Sequence, residues 1–220
     1  FKEVLKIESI FKTIVAEVFA MKYGYKKEYF DSKNFFIREG KKLNKEDFEQ
    51  LQSEIEKIYI KKDSKGYIKH YLENYNYVPI WVLVNALSFG NTLYFYQFLR
   101  DEARVEVAKR LSYNYKLYEK DVVKLLNIVR QYRNSLAHDE RFYKLTFPHS
   151  VSFKKLGVLP YDKDCNVASL FYIIKIFLTP NEFNLFLSHF KIAYHHLDCS
   201  LFTIKGVEIL KAMGFKDNEI

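Results

Sequence analysis

Cysteine is scarce in this chain: Cys165 and Cys199 are the only two in 220 residues, and they form no C-x-x-C pair. That argues against a disulfide framework and a cysteine-built zinc site, and it suits a reducing cytoplasm. Both are read as half-buried small hydrophobes. Glycine (7) and proline (4) are also thin, which leaves too little punctuation for many short strands and favours helices. The longest apolar run, "VPIWVLV" from Val78, is far short of the roughly 20 residues of a membrane span. No membrane partner is expected. No signal peptide opens the chain, and no Walker or dinucleotide glycine motif supports nucleotide hydrolysis. The first residue is Phe1, not methionine, so a leading piece is expected to be missing.

What the sequence does hold is apolar bulk and positive charge. Hydrophobic residues make up 49%, with 20 Phe and 18 Tyr, enough for a substantial core and unlike a disordered chain. The formal net charge is +8 and the pI about 9.2. An excess of this size points to a polyanion, either nucleic acid or an acidic membrane surface.

Apolar residues recur at helical steps almost throughout. "VLKIESIFKTIVAEVFAMKYG" places Leu5, Ile10, Ile14, Val18 and Met21 on a predicted amphipathic helix stopped by Gly24. Asn44 is a candidate N-cap for a helix to about Lys61, and "KKDSKG" a turn before a short helix "YIKHYLENY". Pro79 opens "PIWVLVNALSF", with Trp81 expected in the core and stacking on a base as the alternative, and Gly90 and Asn91 break the pattern before "TLYFYQFLR". A basic helix starts at Asp101 and a long one runs from Lys120 to about Phe142. "TPNE" at 179–182 is a capping box opening "FNLFLSHFKIAYHHL", and a last helix covers Lys205 to Met213. A short β-hairpin is expected between Tyr143 and Lys155. With no repeat or linker, residues 1–220 are predicted to form a single all-α domain.

The helix ending in "RNSLAHDERF" carries the chemistry. At about 100° per residue, Leu125, Val129, Tyr132 and Leu136 form an apolar stripe, while Asn134 and His138 point away from it. Arg130, Gln131 and Arg141 fall on the same polar side. Asn134 and His138 are four apart and so neighbours. Arg133 lies about 140° round from His138 and reaches it by its length or from a second helix. Guanidinium beside imidazole suits phosphate: the fork holds nonbridging oxygens and the ring moves protons near neutral pH.

The segment Arg133–His138, "RNSLAH", resembles the R-x-x-x-x-H motif of HEPN-superfamily ribonucleases, in the form typical of Abi-like abortive-infection proteins. "IESIFKTIVAE", "YFDSKNF", "PIWVLVNALSFG" and the "MGF" near the end are similar in order. Lys12 stands where relatives would carry arginine, and Glu8 is read as a structural or surface acid. The resemblance implies a HEPN-like helical bundle with a metal-independent endoribonuclease activity and no cofactor. It implies His138 as general base or acid, Arg133 stabilising phosphate charge and Asn134 orienting or binding. Products would be a 2′,3′-cyclic phosphate and a 5′-hydroxyl. Arg130, Arg141 and Lys144 are the candidate RNA-binding cations beside the motif. Because one motif supplies one imidazole, a homodimer with a composite cleft is expected. An antitoxin or a regulatory non-coding RNA is the further partner considered.

Other signals are weaker. Asp139 and Glu140 are adjacent and diverge by about 100° on a helix, so they do not readily share an ion. "DKDCN" at 162–166 begins like an EF-hand loop but has Val167 and Ile173 where Gly and Glu belong. His189, His195 and His196 are read as surface and helix-end residues. Two lysine and arginine clusters, Lys61, Lys62, Lys65 and Lys69, and Arg104, Lys109 and Arg110, are read mainly as solvated faces, with backbone tracking as the rival. The rival readings of the whole chain are a non-catalytic RNA- or protein-binding HEPN module, which keeps binding without cleavage, and an all-α scaffold subunit.

Overall fold

The structure, a computed structural model, describes residues 1–60, 66–138, 141–148, 164–201 and 203–216, without the side chain of Asp164. Among these residues the chain is all-α, with ten α-helices and one two-residue ladder. The helices are α1 (Lys2–Tyr23), α2 (Lys45–Ile60), α3 (Gly66–Tyr75), α4 (Ile80–Ala86), α5 (Phe89–Phe98), α6 (Asp101–Leu111), α7 (Glu119–Ala137), α8 (Val167–Phe177), α9 (Pro180–Ser200) and α10 (Gly206–Ala212). No helix among the described residues is long and apolar enough to cross a membrane. The chain forms two compact units, Glu8–Leu111 and Phe1–Ile7 with Ser112–Ile220, so α1 contributes to both.

The unit Glu8–Leu111 is built on phenylalanine. Phe19 meets Phe35 at 5.8 Å and Phe95 at 5.3 Å, and Phe48 meets Phe35 at 5.0 Å and Phe98 at 5.3 Å between centroids. These spacings are those of tilted and edge-on aromatic packing. The α1 residues that reach the interior are Phe11, Val15, Val18 and Phe19, following Val4 and Ile7. Of the stripe expected on this helix only Val18 is buried, while Leu5 and Met21 are exposed. Apolar residues occupy more than one side of the helix, so a second stripe also fits its period and the packing partner selects it. Glu8 and Lys12 are both buried and pair at 3.0 Å, and Lys12 Nζ also donates to Leu87 O at 2.8 Å. That carbonyl lies just past α4, where a cation is favoured by the helix dipole. Glu8 is thus a structural acid, not a surface one.

Caps explain the boundaries that sequence placed well and those it missed. Gly24 ends α1 at φ 106°, a left-handed conformation costly for residues with a Cβ. Asn44 Oδ1 accepts from Asp47 N–H at 2.9 Å, as expected of an N-cap. Residues 61–65 of the expected turn, with Lys61, Lys62 and Lys65, lie outside the described residues. Gly90 and Asn91 do not break a helix. Ser88 caps α5 and accepts from Asn91 N–H at 3.0 Å, so both residues sit in its first turn. Pro79 is the N-cap of α4, one position earlier than expected.

In the second unit, α7 packs beside α8, and Phe171 of α8 meets Phe186 and Phe190 of α9 at 4.7 Å each. The capping box at Thr179 and Glu182 forms as read, with Pro180 opening α9. After α10, Gly214 N–H bonds Lys211 O and Phe215 N–H bonds Leu210 O, a Schellman ending that delivers Phe215 to Phe171 at 5.0 Å. Phe147 and Pro148 pair antiparallel with Cys165 and Asp164. One strand of the expected hairpin therefore falls in place, but its partner comes later in the chain, and residues 149–155 lie outside the described ones. The same holds for 162 and 163 of "DKDCN". Its Asn166 caps α8, accepting from Ser169 N–H at 3.0 Å.

Candidate functional site

The site is the carboxyl end of α7. Its inward face buries Val122, Leu125, Leu126, Ile128, Val129, Tyr132 and Ser135, while Leu136 is half-buried. The predicted stripe is therefore right in its first three members and fades at the fourth. Burying this face fixes which side looks outward. Arg130, Asn134 and His138 step by four along the opposite edge, about 40° apart on the wheel. Arg130 is half-buried, and Asn134 and His138 are exposed.

Arg133 flanks that edge, half-buried, with its Nε shielded from solvent.

The helix ends earlier than the expected Phe142. His138 is the C-cap, with φ −109° and ψ 17°, and its N–H closes a tightened turn on Ser135 O at 3.2 Å. Such a turn satisfies one of the carbonyls that a helix end leaves open. The imidazole thus sits on the last residue the helix controls, held by backbone yet open to solvent. Asp139 and Glu140, weighed above as metal ligands, lie outside the described residues. Arg141 and Lys144 follow on a 3₁₀ turn, Phe142–Lys144, both exposed, with Lys144 Nζ 5.6 Å from the Tyr143 ring centroid. All six predicted site residues are thus at or beside one helix end.

Tyr132, by spacing only one member of the apolar stripe, is the anchor of this region. The Tyr132 hydroxyl lies 2.9 Å from Cys165 O and 3.1 Å from Leu145 O, its one proton donated between them. Its ring meets Phe147 edge-on at 4.8 Å. One residue before Arg133, a fully buried tyrosine therefore ties the motif helix to both strands of the ladder. Burial pushes its phenol well above the ordinary range, so it stays a neutral donor. Beneath it, burial also pushes the Cys165 thiol up to about 12. Cys165 is fully buried and Cys199 exposed, both free, so neither is the half-buried residue expected.

Residues 1–144 match the sequence profile of Abi-like proteins. The chain belongs to the Abi-like protein family. The matched stretch contains Arg130, Arg133, Asn134, His138, Arg141 and Lys144, and it ends before the ladder and α8–α10. "MGF" falls beyond it. No curated protein and no solved structure matches the chain.

Two further expectations change. Trp81 is 45% exposed, not core. Ile80, Leu83, Val84 and Leu87 form the buried face of α4 at steps of three and four, and that spacing, applied to "PIWVLVNAL", turns Trp81 away. Of the α6 cations, Arg104 pairs with Asp101, and Arg110 with Glu106 at 2.7 Å. This part of the charge is offset within the helix. Lys69 likewise lies 3.7 Å from Glu73.

Proposed function

We propose that this Abi-like protein is a metal-independent endoribonuclease of abortive infection, an antiphage effector of toxin type. The observation that carries the reading is the outward edge of half-buried Arg130 and exposed Asn134 and His138, flanked by Arg133, at the end of a helix otherwise clamped into its unit. A polar edge of this kind contributes little to folding, and its residue types suit RNA chemistry. In the proposed reaction the RNA 2′-oxygen attacks its own phosphorus while the 5′-oxygen leaves. An imidazole takes the 2′-hydroxyl proton, and an acid returns a proton to the leaving oxygen. His138 fills one role in each chain, so a homodimer pairing two motif ends supplies both. Arg133 stabilises charge on the phosphorane oxygens, and Asn134 holds the ring or the substrate in register. Arg130, Arg141 and Lys144 hold neighbouring phosphates. The products are a 2′,3′-cyclic phosphate and a 5′-hydroxyl.

The test is cleavage of single-stranded RNA by purified protein in EDTA, with the new ends identified chemically. Cyclic-phosphate ends are expected. His138→Ala should lower the rate by roughly 10²–10⁴-fold with RNA affinity kept. A mutant that cuts as fast as wild type, or activity restored only by Mg²⁺, rejects the mechanism.

A further inference from the structure

Three exposed aromatic residues of the unit Glu8–Leu111, Tyr25, Tyr75 and Trp81, gather in one row, apart from the exposed Phe36 and Tyr67. Tyr25 follows the end of α1, and Trp81 stands on the first turn of α4. Their rings stack, with centroids 5.4 Å apart and planes 28° from parallel. Tyr77 meets Tyr25 edge-on at 6.3 Å, and Tyr75 meets Tyr77 edge-on at 6.2 Å. Trp81, Tyr25 and Tyr75 are 45%, 41% and 55% exposed. Contiguous exposed apolar surface of this kind calls for an explanation that single surface hydrophobes do not. Lys26 lies over the row, its Nζ 6.0 Å from the Tyr25 centroid and 5.7 Å from that of Tyr77.

The backbone beneath the rings is fixed. Ile80 N–H donates to Tyr25 O at 3.0 Å. Val78 is held at both polar groups: its carbonyl accepts from the Tyr29 hydroxyl at 2.6 Å, and its N–H donates to Tyr59 at 3.2 Å. The row is therefore preorganised, which lowers the ordering cost of binding.

At its Trp81 end the row opens into a cleft of about 440 Å³, walled by Ala20, Met21, Trp81 and Val84 and edged by Glu17 and Asn85. That volume falls in the range of sites for flat organic ligands. A carboxylate at the edge repels phosphate. The cleft therefore suits a neutral heterocycle, while Lys26 supplies positive charge along the ring row.

We propose that this row is a stacking platform for single-stranded RNA, with one unstacked base seated in the cleft beside Trp81 and following bases along Tyr25, Tyr77 and Tyr75. Several rings in a row with a lysine over them suit a strand better than a lone nucleotide, which needs one ring. The inference rests on the ribonuclease reading only in taking RNA as the partner.

Trp81 is the only tryptophan, so emission excited at the red edge, where tyrosine does not absorb, reports this site alone. The probe is a short single-stranded 2′-O-methyl oligoribonucleotide, which lacks the attacking hydroxyl. Added to the full chain, it should quench emission saturably, over the same concentrations at which a labelled copy gains anisotropy. Tyr75→Ala and Tyr25→Ala should each weaken binding about tenfold, with helical circular dichroism unchanged. Anisotropy gain without any change in emission would overturn the platform and leave the ribonuclease reading intact. Quenching by the oligonucleotide with no cleavage of unmodified RNA would uphold the platform and reject the ribonuclease. Equal quenching by adenosine monophosphate at the same concentrations would make this a free-nucleotide pocket and overturn the strand platform. No binding by either readout also overturns it.

Discussion

Helices α7 and α9 have nearly the same length, 19 and 21 residues, yet α7 buries seven residues and α9 none. Their ends differ in the opposite sense. Tyr118 caps α7 with no side-chain hydrogen bond, whereas Thr179 and Glu182 close a full capping box on α9. A further ion pair, Lys6 to Glu182 at 2.6 Å, holds the start of α9. One helix is stabilised along its body by the interior. The other relies on its first turn and on a half-buried ridge of Phe183, Phe186 and Phe190. Under the ribonuclease reading proposed above, the contrast accounts for where the motif sits. A chemical group needs a backbone that does not move, and the buried face of α7 supplies that for its exposed edge.

The sharpest way to break this comparison is to delete a matched pair of leucines. Leu125→Ala, at 0% exposure on α7, should cost about 2–5 kcal/mol in urea unfolding. Leu185→Ala, at 57% exposure on α9, should change stability by no more than about 0.5 kcal/mol. Equal losses would mean that α9 is covered in solution by something else.

Tyr132→Phe tests the anchor. It removes the proton shared by Cys165 O and Leu145 O, and should cost about 1–3 kcal/mol as a buried bond left unmade. Amide exchange should rise at the ladder and the motif turn more than in α9. A uniform rise would deny Tyr132 its local role.

The capping box is worth less. Thr179→Ala should cost about 1 kcal/mol and act chiefly on the first turn of α9. The Lys6 ammonium, then the Thr179 N–H and hydroxyl, draw the Glu182 carboxyl down to about 2. Its folded value lies below its unfolded one, so its contribution is complete above the ordinary carboxylate range and fades as pH falls toward 2. Replacing Lys6 by Met should flatten the acid side of the stability curve. An unchanged acid limb would show that the pair is screened in solution.

The smallest effect is chemical. Cys199 of α9 should react with a thiol reagent in the native protein at mildly alkaline pH, and Cys165 only after unfolding. Two equally fast thiols would contradict the burial of the ladder against Tyr132.

Local signals were legible at most points where a side chain answers its own backbone. Gly24, Asn44, Thr179 and Glu182 each act within four residues, and each does what its type predicts. The motif was legible for a related reason: R-N-x-x-A-H fixes residues on one short helix, so spacing nearly determines geometry. Two of the differences are equally local, a serine cap and a helical stripe hidden in a run of apolar residues. Ser88 claims the N–H of Asn91 and makes Gly90 helical, which composition alone read as a break. Trp81 looks like core in a run of apolar letters, but Ile80, Leu83, Val84 and Leu87 already fill the inward face.

By itself, then, the sequence determined the all-α class, most helix starts, and the grouping of Arg133, Asn134 and His138 at one helix end. These depend on interactions a few residues long, which the 3.6-residue period and the capping groups specify. Only the tertiary structure decided which stripe of α1 turns inward and that α7 stops at Ala137. It alone placed Phe147 against Cys165, with Tyr132 clasping both sides. The stripe and the ladder join residues far apart in the chain, and they are selected by shape and by the need to pair buried backbone groups, which no local pattern records.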